Sequence, residues 1–160
     1  MLEAAEKTGV ALEALTATDR VGRTALILAS ANGREACLRI LLGAAEAAGV
    51  TMAQLKASND YGNTALILAS ANGREACLQV LLEASEKAGL TAEALRDGKA
   101  LRLASANDHE GCVQLLLEAM ERLNMLSDLK SLDDDDKNRV MKMGGRNEAI
   151  KKILAKAGVV

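Results

Sequence analysis

The chain has 160 residues, enough for one domain with a continuous core, and its 20 basic and 22 acidic residues give a net charge of −2. That balance argues against nucleic acid as the main partner. No stretch approaches the roughly 20 apolar residues that span a bilayer, and no basic segment followed by a hydrophobic run opens the sequence. We therefore expect a soluble, intracellular protein without membrane contact.

The apolar residues favour helix over strand. They are mainly Ala and Leu, with one Tyr and no Phe, Trp or Pro. This composition predicts an all-α protein, and strand content above about a tenth would contradict that prediction.

The sequence repeats itself at an offset of 40 residues. Residues 24–38 and 64–78 both read TALILASANGREACL, and residues 1–15 match 41–55 and 81–95, so the printed sequence opens within a repeat. A third copy, ALRLASANDHEGCVQLLL, begins at Ala100, where five residues of the preceding loop are missing. A fourth, degenerate copy is found when Gly145 is set over Gly33, and its charged residues suit a terminal repeat that meets water. We divide the chain into an N-terminal half repeat (1–19), unit 1 (20–59), unit 2 (60–95), unit 3 (96–132) and a C-terminal cap (133–160).

Each unit predicts two helices joined by a turn. Thr24 is a helix start and Gly33 a helix stop, and the second helix carries apolar residues at three- and four-residue spacing. A third short helix is expected after Thr51, which pairs with Gln54 as a capping box, and after Thr91, where Ala94 replaces the Gln. The predicted longer helices are 24–32, 34–48, 64–72, 74–88, 100–107, 109–123 and 146–157.

These residues resemble the ankyrin repeat, whose pattern has Asp, Gly, Thr, Leu, Ala, Gly and a Leu-rich second helix at fixed spacing. The matching residues of unit 1 are Asp19, Gly22, Thr24, Leu26, Ala29, Gly33, Leu38, Leu41 and Leu42. The family's Pro is absent, since Ala25, Ala65 and Ala100 stand in its place. The His after the Leu is replaced by Ile27, Ile67 and Arg102. The resemblance implies an ankyrin-like helical repeat solenoid of helix-turn-helix units with short loop tips.

The resemblance also implies a partner surface, because ankyrin repeats generally meet proteins through the loop tips and the first helices. Among these residues Tyr61 is the best candidate, since it is the only aromatic residue and Tyr is enriched in binding hot spots. The alternative is a solvent-exposed loop residue without a partner. The candidate partner-binding residues are Arg20, Val21, Arg23, Ala31, Asn32, Asp60, Tyr61, Asn63, Ala71, Asn72 and Asn107. The shortened loop at 96–99 predicts that unit 3 lacks a projecting tip.

Groups for other chemistry are sparse, so we expect neither an enzyme nor a cofactor or metal site. The single His109 stands where the family has a structural His, and catalysis needs several converging groups. Cys37, Cys77 and Cys112 occupy one repeat position and are expected to be reduced and buried, too far apart for zinc or a disulfide. The four Asp of 133–136 are interpreted as a solvated acidic loop instead of a calcium site. DDDDK at 133–137 matches a processing-protease recognition string, which we interpret as a coincidence.

Three functional readings follow. The first is a protein-binding module for an unidentified protein. The second is a fragment of a longer array, or a self-assembling repeat scaffold of natural or engineered origin, with a homo-oligomer formed through the N-terminal half repeat. The third is contact of nucleic acid with the basic C-terminal cap, which the absence of aromatic stacking residues there argues against.

Overall fold

The structure, a computed structural model, describes residues 13–159, apart from the side chain of Ser131. Residues 1–12 of the N-terminal half repeat predicted at 1–19 lie outside the described residues. From residue 13 to 16 the chain is helical. Unit 1 contains α1 (Ala25–Ala31), α2 (Glu35–Ala47) and α3 (Thr51–Lys56). Unit 2 contains α4 (Ala65–Ala71), α5 (Glu75–Lys87) and α6 (Thr91–Leu95).

Unit 3 and the cap continue the same order. Unit 3 contains α7 (Lys99–Ala106), α8 (Glu110–Arg122) and a 3-10 helix, Leu126–Ser131. The cap contains α9 (Asp134–Gly144) and α10 (Glu148–Ala157). Between residues 13 and 159 the only strand-like pairings are isolated bridges, Thr18 with Thr24 and Ser58 with Thr64. The predicted all-α fold is confirmed, and each predicted longer helix ends within two residues of the observed one.

The units stack in chain order. The first helices α1, α4, α7 and α9 pack on one another as an inner layer, and the second helices α2, α5, α8 and α10 pack as an outer layer. One apolar core runs between the layers through all four units. Its fully buried members include Leu26, Leu38, Leu78, Leu81, Leu116, Leu117, Ile150 and Leu154. This nearest-neighbour packing is the architecture of a repeat solenoid.

The first helices of units 1 and 2 begin and end as the sequence predicts. Thr24 and Thr64 are the N-caps, and each hydroxyl accepts the backbone N–H three residues on, from Ile27 or Ile67, at 3.3 Å. After each helix, Gly33 and Gly73 adopt the left-handed conformation, with φ of 70° and 65°. These glycine conformations reverse the chain direction between the inner helix and the outer helix that follows it.

The predicted capping box of the short third helix is wrong. Thr51 is the first helical residue and Val50 is the N-cap, which has no side chain able to accept a hydrogen bond. The Oε1 of Gln54 and the Oγ1 of Thr91 are buried and have no hydrogen-bond partner. The apolar residues Leu55 of α3 and Leu95 of α6 pack on the core and hold these short helices in place.

The expected burial of all three cysteines is wrong for Cys37. Cys77 and Cys112 are buried, whereas Cys37 is exposed. Burial raises the pKa of the Cys112 thiol to about 11, and it also raises that of Cys77. The carboxylate of the preceding unit adds to each shift, Glu75 for Cys112 and Glu35 for Cys77, so these thiols face the preceding unit. Whether the Cys of a unit is buried thus depends on the unit that precedes it and not on the residue type.

The acidic run at 133–136 is not the solvated loop that we expected. Asp133 is the N-cap of α9, and its side chain accepts the N–H of Asp136 at 2.8 Å. The next three Asp form the first helical turn, where negative charge is stabilised by the helix dipole. Asp136 is buried and accepts a hydrogen bond from Arg139 at 2.9 Å. N-terminal capping therefore overrides the preference of an acidic run for a loop.

We expect the DDDDK string to resist its protease in the native protein. Four of its five residues, Asp134–Lys137 with the scissile bond after Lys137, are helical, and a protease must bind its substrate in an extended form. Digestion of the native chain should leave it intact, while the same digestion in denaturant should cut after Lys137. Mass spectrometry of the fragments checks this, and equal cutting rates in both conditions would contradict the helical assignment.

Candidate partner-binding surface

The loop tips of units 1 and 2 are built in the same way. Asp19 and Asn59 each accept two backbone N–H groups with a side-chain oxygen, from the residues two and four positions on. The four distances lie between 2.9 and 3.1 Å. Side-chain bonds of this kind imitate a backbone turn. Both tips are therefore fixed by local hydrogen bonds.

The two tips also bind to each other. The N–H of Asp60 donates to the carbonyl of Val21 at 3.1 Å. The backbones approach closely at Gly22, where an added Cβ would lie 2.6 Å from Oδ1 of Asp60. Units 1 and 2 thus present their tips as one continuous edge.

The predicted tip residues differ in exposure. Tyr61 is 70% exposed, and Arg20 and Asp60 are also exposed. Val21 is partly buried. The Oδ1 of Asn63 is buried without a hydrogen-bond partner. Tyr61 is therefore the largest accessible side chain of the tips.

Arg23 supports the first tip. Its guanidinium contacts the Asp19 carboxylate at 2.7 Å, and its backbone N–H donates to the same side chain. The side-chain hydrogen bond from Arg23 is the main cause of a lowered pKa of Asp19. Arg23 can meet a partner only by sharing or breaking this contact.

Unit 3 has a short loop, and the side chain of Lys99 makes the contact with the preceding tip that a projecting loop would otherwise make. The segment turns at Gly98, with φ of 64°, and α7 starts directly after it. The Lys99 ammonium donates to the carbonyls of Tyr61 and Gly62 at 3.1 and 3.2 Å. In the first pair of units a backbone N–H, that of Asp60, makes the equivalent link. Lys99 therefore holds the Tyr61 tip from the C-terminal side, a role that no sequence pattern indicated.

We expect Lys99→Met to lower the free energy of unfolding by about 1 kcal/mol, because two hydrogen bonds to carbonyls are lost while the stem length is kept. Lys152→Met is the matched control, since Lys152 is exposed and has no ion pair or hydrogen bond from its side chain within residues 13–159. Urea denaturation of both variants checks this. Equal stability of the two variants would show that the Lys99 link contributes nothing.

The ends of the inner helices are joined by a ladder of Asn side chains. The Asn72 amide donates to the carbonyl of Ala31 at 3.0 Å, and the Asn107 amide donates to that of Ala71 at 2.8 Å. Asn32 instead donates to Leu28 of its own helix at 2.8 Å. All three Asn are exposed, while Ala31 and Ala71 are partly buried. Asn72 and Asn107 thus stabilise the stack as well as lying on the surface.

Asn recurs at one position of the repeat, and this recurrence is the sequence feature from which the ladder could have been predicted. Such a recurrence predicts contact between neighbouring units as readily as contact with a partner. His109 illustrates the same kind of packing, because it is the N-cap of α8 and its ring lies against Gly73 of the preceding unit. Arg74 lies in the same way against Gly33.

The basic end of the chain carries less free charge than its sequence suggests. Five of its seven basic side chains pair with acids. The pairs to unit 3 are Arg146 with Asp108 and Lys156 with Glu121. Those within the cap are Lys137 with Asp134, Arg139 with Asp136, and Lys151 with Glu148.

Other kinds of site have little support in the described part of the chain. Residues 13–159 contain no cluster of three or more His, Cys, Asp or Glu side chains that could hold a metal ion. None of the helices in this range has the length and apolar character needed to cross a membrane.

A groove of about 430 Å³ lies between α2 and α5, lined by Leu42, Gly43, Met52 and Val80 among others. It is on the side of the outer helices and does not include the tips.

Comparison with known proteins agrees with this architecture. The family model described as Ankyrin repeats (3 copies) matches residues 2–92 and 52–127. No curated protein and no solved structure matches the chain. With the repeat pattern, the stacked helix pairs and a family match over most of its length, the chain belongs to the ankyrin repeat family.

Proposed function

We propose that the protein is a non-catalytic module that binds another protein through the tips of units 1 and 2 and the adjoining ends of the inner helices. Ankyrin repeats generally mediate protein–protein interaction. The single observation that carries the proposal is Tyr61, which is 70% exposed on a tip fixed from both sides. A rigid aromatic side chain loses little conformational entropy on binding, so its contact area is turned efficiently into affinity.

The surroundings of Tyr61 support this role. Asn59 fixes its backbone N–H, and Lys99 holds its carbonyl. Exposed charges of both signs lie nearby, with Asp60 on the same tip and Arg20 on the neighbouring tip. A central aromatic residue with a polar rim is typical of an interface hot spot. The partner that fits is a folded protein or segment with an apolar pocket for one aromatic ring.

The direct test uses a partner obtained by pull-down from the source cell. We expect Tyr61→Ala to weaken binding by at least about 1 kcal/mol, roughly fivefold in Kd, and to leave the melting temperature nearly unchanged. Calorimetric titration measures the first and thermal unfolding the second. Arg23→Ala should weaken binding less than Tyr61→Ala, because the Arg23 guanidinium already forms an ion pair with Asp19.

Two matched controls decide the location of the surface. Met52→Ala removes another exposed large side chain, 51% exposed, but in the groove of the outer helices. Arg96→Ala removes a charge at the shortened loop of unit 3. Neither should change Kd by more than a small factor. Loss of binding in Arg96→Ala with normal binding in Tyr61→Ala would place recognition elsewhere.

A second candidate function is that of a unit in a longer or self-associated array. The observation in its favour is Ile40, which is 72% exposed on the outer helix of unit 1. The mass of the chain in solution is the simplest test, and a monomer at all concentrations would weaken self-association. We propose an intracellular location for either function, because three free cysteines suit a reducing compartment.

A further inference from the structure

A cleft of about 260 Å³ lies between the tip of unit 2 and α6, next to the shortened loop of unit 3, and we call it the tip cleft. Ile67, Ser85 and Leu90, all buried, are among the residues that line it. We infer that the tip cleft binds a primary carboxamide group on a short apolar stem. Every residue that lines the cleft lies between positions 55 and 97.

The short loop of unit 3 accounts for the space. The tips of units 1 and 2 pack closely, since an added Cβ at Gly22 would lie 2.6 Å from Oδ1 of Asp60. At the equivalent Gly62, which lines the cleft, the nearest atom to an added Cβ is Nζ of Lys99, at 3.8 Å. The tip of unit 2 is therefore covered less closely on the side of unit 3, where five loop residues are missing.

A small residue in α6 widens the same place. Gln54 of α3 and Ala94 of α6 occupy equivalent positions of the repeat. Gln54 is 3% exposed, and its helix packs on α5 of unit 2, so unit 1 buries a carboxamide at this position. Ala94 has only a methyl group there and lines the cleft. The tip cleft thus lies where unit 2 lacks the carboxamide that unit 1 supplies from its own chain.

The cleft also contains a buried polar group without a partner in the protein. Ser85 is 2% exposed and stands where unit 1 has Ala45, which is 0% exposed. Two other buried serines, Ser30 and Ser70, donate to the carbonyl four residues back, at 2.7 and 2.8 Å. The Ser85 hydroxyl makes no hydrogen bond within residues 13–159. A buried hydroxyl without a partner costs free energy, which a hydrogen-bonding ligand recovers.

The charges along the cleft favour a neutral ligand with N–H groups. Lys56, Glu93 and Asp97 line the cleft and are exposed. Lys56 is already paired with Glu93 at 2.9 Å, so the two carboxylates disfavour an anion. The Ser85 hydroxyl can donate to the carbonyl of an amide, and carboxylates accept its N–H groups. A Gln or Asn side chain of a protein partner and a free small primary amide share this chemistry.

The test titrates butyramide into the full chain and follows the backbone amides by two-dimensional NMR. 2-Pentanone is the matched probe, because it has the same size and carbonyl but carries a methyl group in place of the amide nitrogen. We expect shifts confined to residues around the tip cleft. The Kd of butyramide should be about two- to tenfold lower than that of 2-pentanone, the contribution of one net hydrogen bond.

Two variants locate the site, and each introduces a residue that unit 1 already has at the equivalent position, Gln54 or Ala45. Ala94→Gln should fill the cleft and abolish binding of both probes. Ser85→Ala should keep the binding of 2-pentanone and remove the preference for butyramide. Ala92→Gln is the matched control, because Ala92 lies on the same helix but does not line the cleft, and both Kd values should stay unchanged. Thermal unfolding checks that each variant is folded.

Three results would overturn the inference. The first is the absence of shifts confined to the cleft up to the solubility limit of butyramide. The second is an equal Kd for the two probes, which would mean that the cleft does not recognise the amide. The third is unchanged butyramide binding in Ala94→Gln, which would place the site elsewhere.

The isolated partner distinguishes the two sources of the amide, and this comparison alone rests on the proposed function. A partner side chain in the cleft predicts that Ala94→Gln weakens partner binding and that butyramide competes with the partner. Unchanged partner binding assigns the cleft to a free small amide. Tyr61 does not line the cleft, so Tyr61→Ala should leave butyramide binding intact. Failure of the proposed function would therefore be seen separately from failure of the amide site.

Discussion

Leu78→Ala is expected to lower the free energy of unfolding by about 2–5 kcal/mol, the range for removing a fully buried Leu side chain. Leu78 is 0% exposed, and it belongs to the core that runs through all the units. Unit 2 has a neighbour on each side, so a cavity there weakens two interfaces at once. Urea denaturation followed by far-UV circular dichroism measures the loss.

Ile40→Ala is the matched control for this substitution. Ile40 lies on the equivalent helix of unit 1 but is 72% exposed, so the change should cost no more than about 0.5 kcal/mol. The contrast between the two variants tests which of these two side chains belongs to the core. Losses of similar size would mean that Ile40 is buried or that Leu78 is not.

Gly73→Ala is expected to be the most destabilising of the glycine substitutions at helix ends, at about 2–5 kcal/mol. Gly73 has φ of 65°, a conformation that costs an L-residue about 1–2 kcal/mol. An added Cβ would also lie 2.6 Å from Nδ1 of His109, so the ring of unit 3 must move. Overpacking of this kind adds about 1–3 kcal/mol.

Gly89→Ala separates the backbone strain from the steric contact with His109. Gly89 has φ of 69°, yet an added Cβ would meet nothing within 4 Å, so only the backbone strain should be seen. His109→Ala should remove most of the additional cost in the Gly73→Ala background, which a double-mutant cycle measures. Equal losses in Gly73→Ala and Gly89→Ala would show that His109 does not pack on Gly73.

The helices were predictable from the sequence because the signals that specify them are local. Thr24 and Gly33 bound a helix in both exact copies, and the apolar spacing identifies the buried side of the next one. The ankyrin pattern then implied the stacking order. The loop tips were expected from the same pattern, and the structure shows how Asp19 and Asn59 fix them.

The remaining features depend on contacts between units. Cys37 and Cys77 lie in identical local sequences, so nothing local could show that only one is buried. Lys99 bonds to carbonyls 37 and 38 positions away, across the deletion. The acidic run was misread for a different reason, because the capping by Asp133 outweighs the low helix propensity of Asp. The identity of the partner is not encoded in any of these features, since one fold serves many targets.

Site-specific photo-crosslinking tests the proposed binding surface most directly. A photoreactive phenylalanine analogue is placed at position 61 in one chain and at position 52 in another, and each is irradiated in complex with the isolated partner. The proposal predicts that the partner is crosslinked from position 61, at the tip of unit 2, and not from position 52, in the groove of the outer helices. Crosslinking from position 52 alone would contradict recognition through the loop tips.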